Sequence, residues 1–169
     1  PSTQEAIVSA TIVELVHTAT LIHDDSIDRS FLRRGIPTVN SLWNDQSSVI
    51  MGDYLYSKAF FLLIEYGLFE VMKILARTTH RMSLGEMLEL EHKQYFDLDE
   101  ETYNRLILDK TAVLLSAACE IGAYLAYGDG RERRLLADFG TDLGMAFQIT
   151  DDILDIEGDA EMMGKSTGS

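Results

Sequence analysis

Apolar residues recur along this chain at helical intervals, and the two-residue alternation of a half-buried strand is hard to find. Residues 4 to about 29 read as one helix on which Ile7, Ile12, Leu15, Ala19 and Ile22 share a broad face. Residues 29–37 are basic and contain Gly35-Ile36-Pro37, so they read as a loop. A second helical stretch runs from about 46 to 66 and stops at Gly67, and a third covers 68–92. Asp97-Leu98-Asp99-Glu100-Glu101 puts acidic residues where a helix N-terminus favours them. That helix runs to about 127 and ends at Gly128-Asp129-Gly130. A last helix covers about 131–157, and the polar, glycine-containing residues 161–169 read as a mobile tail. The pattern predicts an all-α chain.

Composition narrows the picture. A chain of 169 residues with 46% hydrophobic content can bury a core, and its length fits one domain. Fourteen Lys and Arg against twenty-eight Asp and Glu give a net charge of −14. That balance argues against nucleic acid or an anionic membrane surface as the main partner. Cys119 is the single cysteine, so no intrachain disulfide can form, and its apolar surroundings suggest a buried, inert thiol in a reducing cytoplasm. The N-terminal residues lack the basic segment of a signal peptide. The apolar runs are broken before the about 18 residues of a spanning helix, so no transmembrane segment is expected.

Two short segments resemble each other: Asp24-Asp25-Ser26-Ile27-Asp28 and Asp151-Asp152-Ile153-Leu154-Asp155. On a helix, residues four apart lie on one face. Asp24 and Asp28 therefore point the same way, as do Asp151 and Asp155. Paired carboxylates repel, and a hard cation such as Mg²⁺, which shares its oxygen ligands between one or two carboxylates and substrate phosphates, is the natural compensation. One acidic patch would read as a solvated face. Two patches, each following apolar sequence, read as opposite walls of one cleft. Cations accompany them: Arg33 and Arg34 after the first, Lys165 after the second, and Lys110 within an otherwise apolar run. Arg and Lys suit phosphate binding. Lys58, Lys73 and Lys93 read as ordinary surface residues.

Leu21-Ile22-His23-Asp24-Asp25-Ser26-Ile27-Asp28 followed by Arg33-Arg34-Gly35 resembles the first aspartate-rich motif of trans-prenyl diphosphate synthases. Phe147-Gln148-Ile149-Thr150-Asp151-Asp152-Ile153-Leu154-Asp155 resembles the second. Gly52-Asp53-Tyr54-Leu55, Gly85-Glu86, Lys110-Thr111-Ala112 and Gly164-Lys165 fit the pattern between and after them. The resemblance covers nearly the whole chain. It implies an antiparallel helical bundle of the isoprenoid synthase type around a deep central cavity. It also implies a cytoplasmic homodimer that joins isopentenyl diphosphate to an allylic diphosphate such as farnesyl or geranylgeranyl diphosphate. By resemblance, three Mg²⁺ ions are held with the allylic diphosphate by Asp24, Asp28, Asp151 and Asp155. Arg33 contacts the allylic diphosphate, and Arg34 and His17 contact isopentenyl diphosphate. Lys110, Thr111, Gln148 and Lys165 line the reacting centre and the leaving group.

Within that family, large aromatic residues just upstream of the first motif stop elongation early. Ala19 and Thr20 stand there and are small. The resemblance is therefore to a long-chain, quinone-side-chain type of synthase of the octaprenyl or solanesyl kind. Alternatives are a short-chain synthase making farnesyl or geranylgeranyl diphosphate, a non-catalytic subunit of a heteromeric synthase, a terpene cyclase, and a plain acidic bundle. The intact second motif argues against a cyclase and against a degenerate subunit. Relative to the family the chain reads as a partial domain, short of the upstream Gly-Gly-Lys-Arg-type segment and of later helices.

Overall fold

The computed structural model describes residues 3–92 and 98–157. Lys93, Asp97, Gly164, Lys165 and the expected tail lie outside the described residues. Helix α1 spans Thr3–Ile27, and a small hairpin follows, with β1 at Leu32–Arg33 and β2 at Ile36–Pro37. Then come α2 (Val39–Leu42), α3 (Asp45–Glu65), α4 (Phe69–His92) and α5 (Glu100–Ile107). A π-helical segment, Leu108–Ala112, joins α5 to α6 (Val113–Tyr127), and α7 (Arg131–Glu157) closes the described chain. The all-α expectation holds, and the element boundaries fall within a few residues of those read from the pattern.

Local chemistry explains the ends. Asn44 and Asp99 cap α3 and α5, accepting the Ser47 and Thr102 backbone N–H groups at 2.8 and 2.7 Å. At the end of α3, Gly67 takes φ +64°, its N–H donates to the Ile64 carbonyl, and the Leu68 N–H donates to Leu63. That pair of bonds is a Schellman stop, and only glycine enters it without steric cost. The loop read at 29–37 is more ordered than expected. Arg33 pairs with Ile36, and the two residues between them, Arg34 and Gly35, both have positive φ (51° and 75°). Positive φ at both central residues marks the hairpin turn whose twist matches its strands.

The core is a single cluster. Ile12 and Val16 of α1 meet Ala59 and Leu63 of α3, Val71, Ile74 and Leu75 of α4, and Val113, Leu114, Ala117 and Ile121 of α6. Helix α7 joins differently, since Gly140 and Gly144 are its buried residues. A Cβ on Gly144 would sit 2.4 Å from the Ala112 Cα, and one on Gly140 would sit 2.7 Å from the Leu115 carbonyl oxygen. On the opposite side of the π segment, a Cβ on Gly85 of α4 would sit 2.7 Å from the Lys110 nitrogen. The π segment is thus gripped, backbone to backbone, between α4 and α7. Away from it, Arg133 of α7 ties three helices together, donating to Glu120 of α6 at 2.7 Å and to Glu70 of α4 at 3.1 Å.

Among the described residues one helix, α1, is long and apolar enough to cross a membrane, which the sequence reading did not anticipate. It packs against α3 and α6, and its last turn carries aspartates.

The glycine contacts give a paired prediction. Gly144→Ala should lower stability by about 1–3 kcal/mol through overpacking against Ala112. Gly122→Ala, where an added methyl meets nothing within 4 Å, should raise it by about 0.5–1 kcal/mol through helix propensity. Urea unfolding of the two variants checks both signs, and equal effects would mean that the α7 contact is slack.

Candidate functional site

The last turn of α1 divides its aspartates between two tasks. Asp25 is buried and faces the hairpin. Arg33 Nε donates to both of its carboxylate oxygens, at 3.0 and 3.1 Å, and Arg33 Nη2 lies 2.9 Å from Oδ1. Asn40 Nδ2 donates to the Asp25 backbone carbonyl at 3.2 Å and to Ser30 at 3.1 Å, which secures the chain behind the hairpin. Asp24 is half-buried on another face, and Asp28 follows it one turn later at an exposed position.

The Asp24 carboxyl is pushed up to about 6 from its ordinary 3.8. Burial is the main cause; the Lys110 charge opposes it, Glu86 and Asp28 add to it, and Arg33 opposes it. That set of neighbours places the end of the first motif beside the π segment. There Lys110 Nζ lies 2.9 Å from Glu86 and also binds Glu89, both on α4. Burial alone would lower the Lys110 pKa, but the bonds and charges of Glu89 and Glu86 outweigh it and hold the pKa above the usual lysine value. Tyr56 borders the same region, its hydroxyl pushed up to about 12 by burial and then by the charge of Asp24.

The next residue connects the π segment to the second motif. Thr111 Oγ1 donates to Gln148 Oε1 at 2.8 Å, and Gln148 Nε2 donates to Asp152 Oδ1 at 2.8 Å. The Tyr103 hydroxyl of α5 completes the chain, donating to Asp152 Oδ2 at 2.6 Å. Asp151 is exposed and Asp155 half-buried on the same helix.

Of the residues singled out in the sequence, Asp24, Asp28, Arg33 and Lys110 come close enough to affect one charge, and Thr111 and Gln148 are directly bonded. Arg34 is exposed at the hairpin turn, His17 is exposed two turns before Asp24, and Lys165 lies outside the described residues. Sequence reasoning gave no site role to Glu86, Glu89, Tyr103 or Asp152. Glu86 and Glu89 sit three apart on α4, which places them on one face, but only the fold shows that this face meets Lys110. His23 lies over Gly52, where an added Cβ would stand 2.2 Å from its ring.

These donors fit a hard cation. Glu86 and Glu89 bind Lys110, Asp24 lies within range of the charges of Lys110, Glu86, Asp28 and Arg33, and the buried Glu86 Oε1 has no hydrogen-bond partner. Among the described residues no three His, Cys, Asp or Glu side chains form a self-contained ligand set. An ion here would complete its coordination with water and substrate oxygens, as Mg²⁺ commonly does.

Comparison with known proteins identifies the family. The polyprenyl synthetase family model matches residues 1–169. The octaprenyl diphosphate synthase of Escherichia coli strain K12 is 39% identical over 159 residues, covering 94% of this chain and 49% of that protein. The short chain isoprenyl diphosphate synthase of Methanothermobacter thermautotrophicus is 39% identical over 164 residues, covering 95% and 50%. The crystal structure of a polyprenyl synthase from Caulobacter crescentus CB15, complexed with calcium and isoprenyl diphosphate, superposes with a TM-score of 0.90. It is 41% identical and covers 95% of this chain and 49% of its own. The chain spans about half the length of the curated relatives it matches.

The raised Asp24 pKa has a testable consequence without any metal. The folded carboxyl holds its proton more tightly than the unfolded one, so its stabilising effect is full below about pH 4 and is lost as pH rises through about 6. Asp24→Asn should therefore stabilise the metal-free chain at pH 7.5, by up to about 3 kcal/mol before solvent screening. The gap should narrow to about 1 kcal/mol at pH 4.5. Urea midpoints at both pH values check this, and a gap independent of pH would assign the titration elsewhere.

Proposed function

This chain belongs to the polyprenyl synthetase family, and on that premise we propose that it carries the ionisation half of a long-chain trans-prenyltransferase site. The reaction joins isopentenyl diphosphate to an allylic diphosphate, farnesyl or geranylgeranyl, and builds an all-trans polyprenyl diphosphate. The observation that carries the reading is the π segment. Lys110 lies beside the first aspartate motif, and Thr111 is bonded to Gln148, one turn before the second.

Bound Mg²⁺ supplies electrophilic assistance, neutralising charge that develops on the departing diphosphate. Asp24 and Asp28 on one side and Asp151 and Asp155 on the other would hold the ions. Lys110 stays protonated at any working pH and adds a fixed positive charge for the leaving group. Arg33 engages Asp25 through Nε and Nη2, which leaves Nη1 for a phosphate oxygen; the remaining contacts fall to Arg34, His17 and Lys165. The allylic C–O bond breaks, the double-bond electrons of isopentenyl diphosphate form the new C–C bond, and the released diphosphate takes the proton lost in forming the product alkene. The Thr111 hydroxyl proton is committed to Gln148. The oxygens of both residues therefore present lone pairs to the cationic centre.

Identity to the octaprenyl and short-chain relatives is alike at 39%, so overall similarity does not decide product length. Ala19 and Thr20 favour the longer product. Ala19 is fully buried, whereas Thr20 is half-buried with its hydroxyl donated to the His17 carbonyl at 2.7 Å. A homodimer is supported by the exposed apolar stripe Ile50, Tyr54, Phe61 and Ile64 on α3.

Two measurements test the proposal. The chain, extended to the length of its relatives, is given labelled isopentenyl diphosphate, farnesyl diphosphate and Mg²⁺, and products are separated by length. A long ladder is expected. Asp24→Ala and Asp151→Ala should each cost at least roughly a hundredfold in rate, and Thr20→Phe should shorten the ladder. Mg²⁺-dependent diphosphate binding without turnover would instead identify a non-catalytic subunit. Light scattering should give a dimer that Phe61→Glu converts to monomer; a monomeric wild type would reject the α3 pairing.

A further inference from the structure

Asp152 stands inside the second motif, yet both of its carboxylate oxygens are committed to protein donors. Oδ2 accepts the Tyr103 hydroxyl at 2.6 Å, and Oδ1 accepts Gln148 Nε2 at 2.8 Å. We infer that Tyr103 and Asp152 are positioning residues that fix the polarity of the Gln148 amide, and through it the Thr111 hydroxyl, toward the reacting centre. The inference rests on the prenyltransferase reading above and assigns this chain's Tyr103 and Asp152 a task within it.

The two ends of a glutamine amide have almost the same shape, so only hydrogen-bond partners decide which end faces where. An ionised carboxylate accepts and cannot donate. The end of Gln148 that meets Asp152 must therefore be the NH₂, which turns the carbonyl to Thr111. That carbonyl can only accept, so the Thr111 hydroxyl must give it the proton, at 2.8 Å. One carboxylate thus sets the sense of every bond from α5 to the π segment. Flipped, Gln148 would aim a positive N–H at Thr111 and at a developing cation.

Helix geometry places Asp152 for this task. Asp151 and Asp155 share one face, whereas consecutive residues stand about 100° apart around the axis. Asp152 falls one turn beyond Gln148, on the side that meets α5. Tyr103 lies in the middle of α5 (Glu100–Ile107), just ahead of the π segment. The clamp therefore joins α5, which leads into the π segment that carries Thr111, to α7, which carries Gln148, and it leaves Asp151 and Asp155 outside its bonds.

The test uses the chain extended to its relatives' length, with steady-state kinetics on both diphosphates and a Mg²⁺ titration. Tyr103→Phe should lower kcat by roughly tenfold to a hundredfold. KM for either diphosphate and the Mg²⁺ activation midpoint should stay within about twofold. Asp152→Asn should behave alike. On a Gln148→Leu background, Tyr103→Phe should have no further effect, because the residue acts only through Gln148. If Tyr103→Phe fails to fold, Asp152→Asn and its pairing with Gln148→Leu carry the same test. A wild type that turns over while Tyr103→Phe and Asp152→Asn keep full kcat would overturn the inference. So would a Mg²⁺ midpoint shifted by Asp152→Asn, or additive effects with Gln148→Leu. A wild type without turnover would instead sink the prenyltransferase reading. In that case the clamp would be rejected as catalytic positioning altogether.

Discussion

The backbone contact between the π segment and two glycines governs the rest of the structure. Gly85 of α4 and Gly144 of α7 leave room for Leu108–Ala112 to lie against both helices without intervening side chains. A π turn inserts an extra residue into the helical advance, and such insertions are frequent at functional sites. Here the residues it carries include Lys110 and Thr111, which face different partners. Lys110 reaches the two α4 glutamates, and Thr111 reaches Gln148 of α7. A bulkier residue at either glycine would push the segment away and separate the first aspartate motif from the second.

Charge is the second constraint. A protein with a net charge of −14 has no general attraction for diphosphates. The site concentrates that problem, because Asp24, Asp28, Glu86 and Glu89 outnumber Lys110 and Arg33. The Asp24 pKa, raised chiefly by burial and further by Glu86 and Asp28, and the unpartnered oxygen of Glu86 mark its cost. Buried like charges destabilise a fold unless something compensates. A divalent ion bound together with an anionic substrate removes that strain, whereas the substrate alone would add to it. On the proposed function, metal and diphosphate should therefore bind as a unit.

Much of the fold was legible in the sequence. Helical period, Gly67 and Gly128 marked the long helices, and i,i+4 spacing put Asp24 with Asp28 and Asp151 with Asp155. Local rules reach that far and stop. The π segment sits inside a run whose apolar pattern reads as continuous helix from α5 into α6, because one extra residue barely disturbs the period. The roles of Glu86, Glu89 and Tyr103 depend on contacts between residues 24, 21 and 49 positions apart, respectively. Composition and spacing carry no signal for such pairs. The hairpin at Arg33–Ile36 was missed for a related reason. A non-glycine residue with positive φ at Arg34 is tolerated because its neighbours hold it: Arg33 is anchored to Asp25, and Gly35 completes the turn.

The two motifs use their middle aspartates in parallel ways. In each, the outer carboxylates lie four residues apart, on one face. The residue after the first aspartate is rotated by about 100° and faces protein instead. Asp25 takes the Arg33 guanidinium and secures the hairpin that presents Arg34. Asp152 takes Tyr103 and Gln148 and secures the amide beside Thr111. An isolated pair of carboxylates could bind an ion, but it could not hold the surrounding cations and dipoles at a fixed distance from it. The middle aspartate does this with a charge-assisted hydrogen bond, about twice as strong as a neutral one. On this argument the acidic repeat has two layers, one aimed at the ligand and one aimed at the protein. The inward aspartate then matters because it keeps the reacting geometry fixed while charge moves through the site.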